Sequence, residues 1–232
     1  MNPPTPQHDA PARRRRIVVG ISGASGAAYA LRLLELLLDG GHEVHLVVTE
    51  YGRRLLADEA GVRKLELADL LPHAVGDAPP PLGLRPRPAD AAPWDPAEIL
   101  SRLYIHPNKD VGAVIASGSF LHDGMALIPC SSTSLGAVAT GAGSNLLCRA
   151  AMVTLKERRP LIVCHRESPL NLIDIENMRT LTLAGAIVCP TNPGFYLLPR
   201  SVEDIVDFTV GKVLDLLGVE HGLDVRWKPL QT

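Results

Sequence analysis

The stretch RIVVGISGASGAAYALRLLELLL, Arg16 to Leu38, decides the fold. Arg16-Ile17-Val18-Val19-Gly20-Ile21 reads as a short apolar strand bounded by glycines. Gly23-Ala24-Ser25-Gly26 is too glycine-rich to continue it and reads as a tight turn. Ala27 to Leu38 then places apolar residues at helical spacing and stops at Gly40-Gly41. A strand, a glycine turn and an amphipathic helix form the opening unit of a parallel α/β sheet.

The same alternation continues outward. Val44–Thr49 reads as a second strand, and Tyr51–Leu70 as a helix interrupted near Gly61. Residues 72–96 hold eight of the chain's 20 prolines, so they are expected to form an extended surface insertion without core strands. Strands are expected again at Ala113–Ala116, Met125–Ile128, Leu161–Cys164 and Ala186–Cys189. Helices are expected at about 145–158, 172–184 and Val202–Leu217, the last opened by a capping-box-like Ser201-Val202-Glu203-Asp204. Short apolar strands between amphipathic helices predict a parallel sheet with helices on both faces. The expected organisation is a disordered tail over 1–15 and one α/β domain over 16–228. Ligands of such sheets bind at the carboxyl ends of the strands, which directs attention to loops 22–26, 49–51, 117–119, 129–134, 165–169 and 190–196.

Composition narrows the function. The chain has 232 residues, 46% hydrophobic and 21% charged, with 4% aromatics and a net charge of −2. General disorder, fibrous repeats and nucleic-acid binding through phosphate contacts are all poor readings. Cys130, Cys148, Cys164 and Cys189 show no CxxC spacing, so neither structural zinc nor a disulfide scaffold is expected. Arg13–Arg16 before an apolar strand imitates a signal peptide, but Gly20, Ser22, Gly23, Ser25 and Gly26 break the apolar segment. With no run of 18 apolar residues, no membrane span is expected and a cytoplasmic location follows.

Three loops carry candidate chemistry. Gly20, Gly23 and Gly26 let backbone amides approach an anion at a helix start, although the spacing is neither GxGxxG nor a Walker A loop. Ser131-Ser132-Thr133-Ser134 follows a strand and precedes a helix. Simple N-capping needs only one of those four hydroxyls, leaving the others to hold a phosphate. Arg166-Glu167 follows the strand Leu161–Cys164 at the ligand edge. A buried Glu167 could exchange protons while neighbouring cations hold an anion. Lys156-Glu157-Arg158-Arg159 reads more simply as a solvated helix end.

In order along the chain stand Gly23-Ala24-Ser25-Gly26, Ala116-Ser117-Gly118-Ser119, Pro129-Cys130-Ser131, Asn145-Leu146-Leu147-Cys148-Arg149-Ala150-Ala151, Leu155-Lys156-Glu157-Arg158-Arg159-Pro160, Arg166-Glu167-Ser168-Pro169, Glu176-Asn177-Met178 and Pro193-Gly194-Phe195-Tyr196. This set resembles the UbiX/Pad1-type flavin prenyltransferases from about Ile17 to Trp227, outside the proline-rich segment. The resemblance implies a three-layer Rossmann-like (flavodoxin-like) fold and reduced FMN as prenyl acceptor. It also implies dimethylallyl phosphate as donor, without a metal. The family attaches the prenyl group to flavin N5 and closes a ring through C6, and the prenylated FMN serves UbiD-type decarboxylases.

Carried over by position, Gly23, Ala24, Ser25, Thr49, Ser131, Ser132, Thr133, Ser134 and Arg166 would bind FMN. Tyr196 and Lys212 would bind the donor, with Lys156 and Arg149 adding charge, and Trp227 would close the pocket. Glu167 would be the acid–base residue, supported by Ser25 and Glu59. Lys212 stands where relatives often carry arginine, Met152 where they carry an acid, and Val111 where some have a pocket tryptophan. The resemblance also implies a homo-oligomer, usually a dodecamer, with sites between subunits. The small residues of 137–143 and a mean hydropathy of +0.12 fit that expectation. Two alternatives stay open: an FMN-dependent cysteine decarboxylase of the same fold, which would need a histidine near the first helix, and a non-catalytic flavin carrier. His42 and His45 read as structural.

Overall fold

The computed structural model describes residues 13–88, 91 and 94–226. Most of the expected tail, residues 1–12, and Trp227 lie outside the described residues. The elements run β1 (Arg16–Ile21), α1 (Ala27–Asp39), β2 (Glu43–Val48), α2 (Glu50–Ala60), α3 (Leu67–Leu70), α4 (Pro72–Val75), α5 (Pro96–Leu100), β3 (Leu103–His106), β4 (Gly124–Cys130), α6 (Ser132–Thr140), α7 (Leu146–Lys156), β5 (Leu161–His165), α8 (Leu172–Leu183), β6 (Ile187–Val188) and α9 (Val202–Leu216). All strands pair in parallel in the order β3-β2-β1-β4-β5-β6. The order reverses between β1 and β4, and at such a switch point sheets of this kind bind their ligands beyond the carboxyl ends of the strands.

Strand alternation supplies two cores. Ile17, Val19 and Ile21 point with Leu46, Ile128 and Ile162 toward α1 and α9. Val18, Val47, Leu127 and Val163 point with Leu146 and Leu147 to the α6–α7 face. The parallel sheet is thus a central layer whose inner strands β1, β2, β4 and β5 are covered on both faces, as the opening stretch implied.

Several expectations hold closely. Gly61 ends α2 with a left-handed φ of 71°. Ser201 and Asp204 form a true capping box, the shorter acid reaching the Ser201 N–H at 3.0 Å. His42 is structural, its Nδ1 accepting the Arg15 N–H at 3.1 Å. One expected strand is corrected. Val114–Ala116 is a single 3-10 turn, and the edge strand is Leu103–His106 instead. Four apolar residues without alternation suit either conformation, and turn bonds from Ala113 to Asp110 and Ala116 to Ala113 select the tighter one. The loop at 117–119 consequently sits at the opposite sheet edge, where Arg159 donates to the carbonyls of Gly118 and Phe120 at 2.7 Å each.

The proline-rich segment runs along α1 and α9. Leu84 is buried with both helices, and a Cβ at Gly83 (φ +82°) would meet Ala28 Cβ at 2.9 Å. A buried ion chain fastens it. His73 Nε2 lies 2.8 Å from Glu35, Arg32 bridges Glu35 and Asp207 at 2.7 Å each, and Arg85 Nε reaches Asp207 at 2.8 Å.

Candidate active site

The two loops expected to bind an anion are stitched together at the switch point. Ser22 Oγ accepts the Ser131 N–H at 2.8 Å and donates to the Pro129 carbonyl at 3.2 Å, while Ser22 N–H reaches the same carbonyl at 3.1 Å. Ser22 is 2% exposed, so these bonds are shielded from water. Ser131 caps α6 through its Oγ, which accepts the Ser134 N–H at 3.3 Å. Among the described residues nothing hydrogen-bonds the Ser132 or Thr133 hydroxyl. Two free hydroxyls and the positive end of a helix make a donor set suited to a phosphate monoester.

The first helix start is already occupied. Glu59 Oε2 accepts the N–H groups of Gly26 at 2.9 Å and Ala27 at 2.8 Å. Partial burial would raise its pKa, but those bonds, the Ser25 hydroxyl and the Arg166 charge outweigh it and hold the carboxylate below its usual range. The anion at the glycine turn is therefore a side chain of the protein, which leaves the start of α6 as the open helix N-terminus of the two. Gly23 is required for a different reason: a Cβ there would come within 2.5 Å of Tyr51 Cβ in the first turn of α2. Thr49 caps α2, accepting the Gly52 N–H at 3.0 Å, and its own N–H binds the Ile21 carbonyl at 2.9 Å.

Arg166, just past the end of β5, ties the same two loops together. Its Nε donates to the Ser25 carbonyl at 3.2 Å and its N–H to the Cys130 carbonyl at 3.2 Å. Glu167 is exposed beside it, and among the described residues it bonds only the Ser168 N–H, at 3.0 Å. Ser25, Glu59, Arg166 and Glu167 thus share one edge with Ser131–Ser134. Tyr196 and Lys212 come together in a neighbouring cavity of about 390 Å³ with Phe208. Phe208 meets the Tyr196 ring edge-on at 5.8 Å.

Two expected residues stand apart within one chain. Lys156 ends α7 at the opposite edge of the sheet, ion-paired to Glu157 and close to Gly118. Arg149 is exposed on the outer side of α7, whose Leu146, Leu147, Ala150 and Ala151 face the core. Sequence reasoning also missed site-forming residues. Tyr29, one turn into α1, approaches Arg166 and Thr209, and burial raises its pKa. His165 is buried, its Nδ1 3.0 Å from the Cys130 carbonyl and its Nε2 3.9 Å from the buried Asp174 of α8. It braces the loop that carries Arg166 and Glu167. Its position directly before Arg166-Glu167, at a strand end, was the available signal.

No helix of the described residues is long and apolar enough to cross a membrane, and no cluster among them could hold a metal ion. Residues 6–214 match the Flavoprotein family model. The chain is 41% identical over 213 residues to the flavin prenyltransferase UbiX of Halalkalibacterium halodurans, covering 90% of this chain and 91% of the relative. It is 37% identical over 222 residues to the mitochondrial flavin prenyltransferase PAD1 of Saccharomyces cerevisiae, covering 96% of this chain and 79% of that one. A UbiX protein solved with FMN and dimethylallyl pyrophosphate superposes with a TM-score of 0.69 at 32% identity, covering 93% of this chain and all (100%) of that one. A dodecameric FMN-dependent UbiX-like protein of Escherichia coli O157:H7 gives 0.72 at 33% identity, again over 93% and 100% of the two chains. A cysteine decarboxylase shares only the fold, at 12% identity. The chain belongs to the Flavoprotein family, among its UbiX-type flavin prenyltransferases, as an FMN-dependent enzyme.

Proposed function

We propose that the enzyme transfers a dimethylallyl group from dimethylallyl phosphate to N5 and C6 of reduced FMN, yielding prenylated FMN for a UbiD-type decarboxylase. The observation that carries the site assignment is the Ser22–Ser131 stitch, which brings the glycine turn and the serine loop to one edge of the sheet. Reduced FMN supplies an electron-rich ring edge that a prenyl carbocation can alkylate. Ser131–Ser134 hold its phosphate, with Gly23, Ala24, Ser25 and Thr49 shaping the floor of the site. Arg166 fixes the Ser25 loop and places positive charge beside it. Ionising an allylic phosphate leaves negative charge on the departing group, which Lys212 and the Tyr196 hydroxyl accept in their shared cavity. Glu167 moves the proton released when ring closure restores the flavin, and Ser25 with Glu59 relays it.

Lys156 and Arg149 reach a pocket in this proposal only when copies of the chain assemble, each lending its α7 to a neighbour. Exposed apolar side chains support a homo-oligomer, dodecameric like the E. coli relative: Leu172, Ile173 and Leu183 of α8 are 71%, 73% and 73% exposed. The alternative cysteine decarboxylase lacks support in α1, which has no histidine; His73 approaches it only within the buried Glu35 ion chain. The test is anaerobic incubation of reduced FMN, dimethylallyl phosphate and enzyme. Mass spectrometry and carbon NMR with labelled donor should show one prenyl unit joined at N5 and C6. Unmodified flavin after that incubation would refute the reaction.

A further inference from the structure

The site leaves one pair of nucleophilic side chains unused. Register along β5 and β6 pairs Ile162 with Ile187 and Val163 with Val188, and the Cys189 N–H continues the ladder to the Val163 carbonyl at 2.9 Å. Cys164 therefore stands opposite Cys189. Paired neighbouring strands are about 4.8 Å apart, inside the roughly 4.4–6.8 Å Cα separation that a disulfide spans. Both side chains pack on the α1–α9 face. Cys164 is fully buried, whereas Cys189 is only partly buried and lies within reach of the Lys212 charge on α9. Cys130 and Cys148 lie on the other side of the sheet.

We infer that Cys164 and Cys189 form a peroxide-oxidised thiol pair, a reversible modification site beside the Tyr196–Lys212 cavity. The polarity of the pair is set by its surroundings. The facing Cys164 thiol and the Lys212 charge lower the Cys189 pKa against the opposing effect of burial, so Cys189 is the thiol of the pair that ionises first. Cys164 stays a thiol, its pKa pushed up by the facing Cys189 and by burial. The Cys189 thiolate attacks one oxygen of hydrogen peroxide; an S–O bond forms, the O–O bond breaks and hydroxide leaves. Cys164 sulfur then attacks Cys189 sulfur, the S–S bond forms and the S–O bond breaks. The protons of the two thiols convert the departing oxygens to two waters, and two electrons pass from sulfur to peroxide. Peroxide is the oxidant that dioxygen makes whenever it intercepts reduced flavin, the species this enzyme handles.

The inference is read by thiol mass and not by prenyl transfer, so it stands or falls apart from the donor role of Lys212. The intact wild-type assembly is exposed to hydrogen peroxide at pH 7, denatured, alkylated and digested. Peptides of Cys164 and Cys189 should appear linked, two hydrogens lighter, with Cys130 and Cys148 alkylated, and dithiothreitol should reverse the link. In Cys164→Ser the Cys189 sulfenic acid should persist and be trapped by dimedone. Lys212→Ala should slow oxidation several-fold at pH 7 and move its pH profile upward, and Lys212→Arg should restore it. Unlinked Cys164 after oxidation of Cys189, or equal loss of Cys130 and Cys148, would overturn the pair. An unchanged rate and profile in Lys212→Ala would overturn the part assigned to that lysine.

Discussion

Ser22 Oγ accepts the Ser131 N–H across 2.8 Å, joining the turn after β1 to the loop after β4 through a side chain only 2% exposed. Ser22→Ala removes that acceptor and leaves a buried N–H unpaired, at a cost of about 1–3 kcal/mol. FMN titration followed by flavin fluorescence should show about tenfold weaker binding, since 1.4 kcal/mol is roughly a factor of ten. Unchanged affinity would mean that the serine loop holds its shape without the stitch.

Glu167 sits just past the end of β5, exposed and without an ion pair among the described residues, so it contributes little to folding. Glu167→Gln should therefore keep the wild-type melting temperature and FMN affinity. Prenyl transfer should fall by about 10²–10⁴-fold, the usual contribution of a positioned acid–base group. Turnover within a factor of two of wild type would remove Glu167 from the chemistry.

Much of this was legible before any coordinates. The glycine turn, the four-hydroxyl loop and Arg166-Glu167 each sit directly after an apolar strand, and strand ends are where a parallel sheet collects its ligands. What stayed hidden depends on long-range contact. Leu103–His106 is an edge strand paired on one side only, with Tyr104 44% exposed, so its apolar signal is diluted. Glu59 reads as a surface acid of α2, and nothing local reveals that it caps α1 across 33 positions. Only the family resemblance points Lys156 to the pocket. Its helix delivers it to the far edge of the sheet, a fact set by topology.

The ion chain through Arg32 should matter far more than its neighbours suggest. Arg32 is 8% exposed between Glu35 at 3% and Asp207 at 6%. Arg32→Met leaves two buried carboxylates short of a partner and should cost about 3–5 kcal/mol in urea denaturation. Arg85→Met, with a side chain 45% exposed, should cost about 1 kcal/mol. Equal losses would mean that the proline-rich segment is held by packing alone.

Acid should destabilise the fold well before its carboxylates titrate. Burial drives His122 down to about 4, while Arg159 adds to that effect against the Gly124 carbonyl bond. Its folded pKa lies below its unfolded value, so the unfolded chain takes up the extra proton between about pH 6.5 and 4. Stability is full above that window and falls as pH drops through it, by at most about 3 kcal/mol from this group. His42, His45 and His106, also lowered by burial, add slope of the same sign. Denaturation midpoints recorded from pH 7.5 to 4 should show the decline, and His122→Gln should flatten it. A flat wild-type profile would contradict a neutral buried His122.

In the proposed assembly, the Lys156 of one copy completes the reacting edge of another. Lys156→Ala and Glu167→Gln chains should each assemble into inactive homo-oligomers. Co-expressed in equal amounts, they should recover about a quarter of wild-type prenyl transfer, because random assembly places an intact edge against an intact lysine at that frequency. Mixed assemblies no more active than either parent would contradict the claim, placing Lys156 and Glu167 in the same chain's site.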